Sequence, residues 1–141
     1  MLTGIILDDS QSFRVWATSI LPWLNETMSD VAEGIGGDIG ILLDKQQRYT
    51  AYAGAMTEVY AKAQSYYETA LAEGIIKMKD KGIPSSLCAR AAERECANEK
   101  RVYEAVHRLN STLSDQLIAI AARLRFERSL VGQEPKQPTP F

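Results

Sequence analysis

The sequence predicts an all-α protein: a long antiparallel helical hairpin of coiled-coil character, with a short N-terminal helix, dimerising into a helical bundle. Three observations predict it. Tyr49, Ala53, Met56, Tyr60, Ala63, Tyr67, Ala70 and Gly74 recur in alternating steps of four and three, the seam along which helices pack nearly parallel. A second seam follows in Val102, Val106, Leu109, Leu113, Leu117, Ile120 and Leu124. Between the two lies KDKGIPSSL (79–87), which stops one helix and starts another within a few residues. No stretch carries a strand pattern.

Each element can be justified in turn. Residues 9 to about 33 read as a helix, capped by Asp9 or Ser10, with Phe13, Trp16, Ile20 and Leu24 on one face. Pro22 is expected to kink or divide it. Gly34, Gly36 and Gly37 then make a flexible joint, and Asp38 caps the next helix. That helix runs to Lys81, with Lys77, Lys79 and Lys81 suiting its C-terminal dipole. Gly82 is the expected positive-φ residue, and Pro84 prevents continuation. Ser85 or Ser86 caps a returning helix to about Leu130. So short a connection makes the two long helices antiparallel neighbours. Folding about Ile83 sets Leu124 against Leu42, Leu117 against Tyr49, Leu113 against Ala53, Leu109 against Met56 and Val106 against Tyr60. The division is therefore an acidic arm with a glycine hinge (1–37), the hairpin (38–130) and a polar, proline-rich tail expected to be disordered (131–141).

A hairpin cannot bury both its sides. Tyr52, Val59 and Tyr66, at seven-residue spacing, form a second stripe with Tyr103 and Ile118 opposite. Either the N-terminal helix or a second copy must cover it, and the expectation is a homodimer or higher homo-oligomer with these five residues at its interface.

Composition bounds the function. The net charge of −2 supplies no global basic field, so nucleic acid is not an expected partner. The charge is uneven: residues 1–40 hold Asp8, Asp9, Glu26, Asp30, Glu33 and Asp38 against Arg14 alone, whereas Arg123, Arg125 and Arg128 crowd the end of the last helix. Cys88 and Cys96 lack the second pair that a zinc site needs and read as buried thiols of a reduced compartment. The start lacks a basic n-region and a cleavage site, and no apolar run approaches the ~20 residues of a spanning helix. A cytoplasmic location in a host cell is expected.

Candidate chemistry is sparse. Glu104 and His107 have the Glu-x-x-His spacing of four-helix metal proteins, but helical geometry turns both away from the seam. Glu99 lies near the seam opposite Tyr66 and Tyr67, and reads as a polar register position. His107 has no third group to build a triad with Ser111. The protein is expected to be no enzyme and to need no cofactor or metal.

From Tyr49 to Leu130 the chain resembles small helical-hairpin proteins of phage and prophage early, recombination regions, on its Tyr/Ala-rich helix, the KGIP turn and the closing STLSDQLIAIAARLRFER. It also resembles, more weakly, the lambda-type host-nuclease inhibitor family. The resemblance implies an accessory protein that binds and inhibits a host or phage protein of DNA recombination or defence. Asp8, Asp9, Trp16 and Trp23 of the arm, with Arg123, Arg125 and Arg128, are the residues expected to meet that partner. The alternative is a scaffold component of a virion or secretion assembly, built from packed hairpins.

Overall fold

A computed structural model describes residues 11–133. Four helices follow one another: α1 (Phe13–Ala32), α2 (Ile39–Asp80), α3 (Ser85–Glu95) and α4 (Ala97–Gln133), with no strand among the described residues. The all-α hairpin with a short N-terminal helix is therefore the observed architecture.

The turn between α2 and α3 follows from its residues. Gly82 takes φ +80°. Its N–H reaches the Lys79 carbonyl at 3.0 Å, and the Ile83 N–H reaches that of Met78 at 3.1 Å. These two bonds satisfy carbonyls of the last turn of α2, and Ile83 packs against the buried cluster of Met78, Cys88 and Ala92. The register is the expected one: Gly74 and Ala92, each nine residues from Ile83, touch so closely that a Cβ on Gly74 would lie 3.0 Å from the Ala92 Cβ. Leu42, Tyr49, Met56, Val106, Leu109, Leu113 and Leu124 all lie in the core.

Two details of the hairpin differ from expectation. Ser85 and Ser86 do not cap α3; Pro84 holds the cap position without a side-chain bond, and the Leu87 N–H uses its carbonyl at 2.9 Å. The returning arm is also not one helix. Cys96, at φ −103° and ψ 32°, breaks it into α3 and α4. Beyond the break α4 continues to Gln133, three residues past the expected end.

The third helix of the bundle is α1. Ser12 caps it by accepting the Val15 N–H, and Pro22 sits inside without dividing it. Asp9 and Ser10, the expected caps, lie outside the described residues. Trp16, Ile20, Leu24, Thr27 and Val31 step by four, four, three and four along its buried face. That face lies on the hairpin, with Trp16 beside Tyr66 at one end and Asp30 beside Arg48 and Tyr52 at the other. Hence α1 runs antiparallel to α2 over its middle section. The hairpin stays two helices thick at its tip and at the opposite, open end.

The Gly34–Gly37 joint is a defined connection. Gly34 and Gly37 adopt φ +78° and +123°, and Asp38 caps α2 by accepting the Ile41 N–H at 2.9 Å. No helix among the described residues is long and apolar enough to cross a membrane.

Candidate interaction surface

The stripe of Tyr52, Val59 and Tyr66, expected at an interface between copies, lies beneath α1 of the same chain. Val59 is fully buried, and both tyrosines are half-buried against the core. The Tyr66 ring meets Phe13 at 5.6 Å and Trp16 at 5.2 Å between centroids, and its hydroxyl donates to the Gln11 carbonyl at 2.5 Å. Covering by the N-terminal helix, the rival to a second copy, is what the fold uses here.

At its other end α1 is held by a polar lock that sequence reasoning missed. Asp30 accepts two bonds from Arg48, at 3.1 and 3.0 Å, and one from the Tyr52 hydroxyl at 2.7 Å. Asp44, one turn before Arg48, shares the guanidinium across an i,i+4 spacing. The last carbonyls of α1 are met by side chains from both partner helices. Tyr49 donates to that of Asp30 (3.0 Å) and Gln116 to that of Val31 (2.9 Å), while Lys45 reaches Gly34 just beyond (2.5 Å). Burial would raise the Asp30 carboxyl, but hydrogen bonds from Tyr52 and Arg48 and the charges of Arg48 and Lys45 outweigh it and hold it below its ordinary value. Burial, and then donation to Asp30, push Tyr52 up to about 12. The available signal was the Arg48–Tyr52 spacing: donors one turn apart on the stripe face call for an acceptor.

Two of the four acids described between residues 11 and 40 are thus engaged within the chain. Asp30 is in the lock and Asp38 caps α2, whereas Asp8 and Asp9 lie outside the described residues. Trp16, expected to meet a partner, is fully buried, because it stands on the same face as Ile20 and Leu24. Trp23 is half-buried against the core.

On the other side of α2 lies a ring cluster. Tyr103 and Tyr60 share a hydroxyl contact at 3.2 Å, and the Tyr60 hydroxyl meets His107 Nδ1, also at 3.2 Å. Tyr67 packs on Tyr103 with centroids 5.4 Å apart. Tyr103 therefore belongs to a polar aromatic group within the chain. Glu104 and His107 are exposed, in line with their helical phase. Glu99 is half-buried near Cys96, while the Tyr66 hydroxyl goes to Gln11 instead. Cys88 and Cys96 are free and buried. Among the described residues no group of three His, Cys, Asp or Glu side chains could hold a metal ion.

Ile118, Arg123, Arg125 and Arg128 occupy the open end, and all are exposed. The register sets the first turn of α2 beside residues 123–130 of α4. Ile39, Ile41 and Leu43 there, with Ile118, Phe126 and Leu130, are exposed large apolar side chains; Ile118 and Phe126 keep 67% and 59% of their surface. Arg123 is partly engaged by Glu127 at 3.3 Å. One end of the molecule thus joins exposed apolar surface to a concentration of arginine. Comparison with protein-family models, curated proteins and solved structures finds no match to this chain.

Proposed function

We propose that the protein is a non-enzymatic binding module that docks the open end of its hairpin on a protein partner and modulates it. The observation that carries this reading is the group of six exposed large apolar side chains at that end, beside Arg123, Arg125 and Arg128. Binding energy at protein interfaces concentrates in aromatic and arginine anchors within an apolar patch. Phe126 beside three arginines has that composition, and it suits a partner surface with an apolar centre and an acidic rim. The hairpin's resemblance to phage and prophage accessory proteins supports an enzyme of DNA recombination or defence as that partner, with inhibition as the outcome of docking.

A tagged-protein capture from bacterial lysate tests this, comparing the wild type with a Phe126→Asp, Ile118→Asp double variant and with Ile76→Asp at the hairpin tip. A recombination or defence enzyme held by the wild type and by Ile76→Asp, but lost from the double variant, supports the proposal. Equal capture by all three refutes the assigned surface. Recovery of the protein alone, in large assemblies, favours the scaffold role.

A further inference from the structure

The outer side of the hairpin carries a ridge of arginines on both sides of the break at Cys96. Arg90, Arg94, Ala97, Arg101 and Glu104 step by four, three, four and three along the ridge of α3 and α4 that faces away from α2, and all five are exposed. A shallow concavity of about 450 Å³ lies on this ridge, lined by these residues with Glu93 and Lys100. We propose that this concavity binds a phosphate monoester, gripped between Arg94 and Arg101.

The charge arithmetic favours such a ligand. Lys100 pairs with Glu93 at 3.5 Å, and Glu95 turns across the hairpin to Lys77 and Lys81 at 3.6 and 3.9 Å. Among the described residues Arg90, Arg94 and Arg101 have no ion pair. Three uncommitted guanidiniums against the single carboxylate of Glu104 leave a local charge of about +2, matching a phosphoryl group of about −1.5 to −2 at neutral pH. In a straight helix Arg94 and Arg101 would stand two turns apart, about 10 Å along one face. Both arginines line the concavity with Ala97, the one small residue of the ridge, between them, and a guanidinium fork can hold phosphoryl oxygens bidentately. Arg90, one turn further, adds field rather than contact.

The same lining weighs against nucleic acid. It holds no aromatic platform for a base, and Glu93 and Glu104 interrupt the track that a polyanion would follow. The site lies on α3 and the start of α4, away from the open end, and stands whether or not the docking reading does.

The test is an amide-resolved NMR titration at constant ionic strength with inorganic phosphate, O-phosphoserine, glucose 6-phosphate and a short DNA duplex. Saturable shifts confined to residues 90–104 with the phosphate probes are expected. An Arg94→Gln, Arg101→Gln double variant should weaken binding at least about tenfold, with helix content by circular dichroism unchanged because both side chains are exposed. Glu104→Gln should tighten it several-fold by removing the opposing charge. Stronger binding of phosphoserine would assign the group to a modified protein side chain, and of glucose 6-phosphate to a metabolite. Shifts that never saturate, shifts equally large at residues 123–128, or tighter binding of the duplex with a steep salt dependence would each overturn the proposal.

Discussion

Substitution of Trp16 by alanine separates a docked α1 from a free arm. The indole is fully buried and packs against Phe13 and Tyr66, with centroids 6.4 and 5.2 Å away. Deleting a buried tryptophan costs about 3–5 kcal/mol in lost transfer energy and cavity. Part of this is offset, because the Trp16 Nε1–H is buried without a hydrogen-bond partner. Leaving such a donor unpaired costs about 1–3 kcal/mol, which the wild type already bears and the alanine variant sheds. The midpoints of these ranges leave a net destabilisation of about 2 kcal/mol. With a urea m-value of about 2 kcal/mol/M, the midpoint should fall by about 1 M. Trp16→Phe keeps much of the ring packing and removes the unpaired donor, so it should lie within about 1 kcal/mol of the wild type. Urea unfolding followed by far-ultraviolet circular dichroism reads both variants. A loss below about 0.5 kcal/mol for Trp16→Ala, the range of ordinary surface substitutions, would refute the docking of α1.

Two further predictions rest on the packing. Asp30 has a folded pKa below its ordinary 3.8, so its stabilising contribution is complete above that value and is lost as pH falls through the folded pKa. Asp30→Asn should therefore be less stable at neutral pH and lose less on acidification below about pH 4; an unchanged acid limb in melts from pH 2 to 7 would contradict the lock. At Gly74 the hairpin arms approach through a Cβ site only 3.0 Å from the Ala92 Cβ and 3.5 Å from its Cα. Gly74→Leu should splay the tip and cost about 2 kcal/mol or more, despite leucine's better helix propensity. A stabilised Gly74→Leu in the same urea assay would show the contact to be slack.

The hairpin was legible because its signals are local or periodic. Gly82 and Pro84 mark the turn by backbone chemistry alone, and two heptad seams of similar length leave one way to pair. The break at Cys96 left no such mark. Its neighbours Ala92, Glu95 and Ala97 are good helix formers, and no glycine or proline announces a distorted residue. Pro22 does not divide α1, which tolerates one missing N–H while its apolar face stays continuous from Trp16 to Val31. The choice between α1 and a second copy as cover for the stripe was open in principle. It turns on Asp30 reaching Arg48 and Tyr52 across the joint, a long-range pairing that no periodicity encodes.

The lock also changes which experiment can locate partner binding. While residues 1–37 are pictured as a free acidic arm, deleting them is the natural test of whether the arm reaches a partner. In the folded chain that deletion would strip Trp16, Ile20, Leu24 and Val31 from the core, each worth about 1.5–3 kcal/mol in burial. It would also expose Val59, take the Asp30 acceptor from the Tyr52 hydroxyl and leave Arg48 with Asp44 alone. Lost binding would then report unfolding as readily as a missing contact. Part of the arm's charge is also committed within the chain. Asp30 is neutralised by Arg48, and Asp38 spends its carboxylate on the α2 cap. Among the described residues this leaves Glu26 and Glu33 as its uncommitted acids. Substitutions at Phe126 and Ile118, which stand exposed outside the core, leave these contacts intact and ask the binding question without unfolding the bundle.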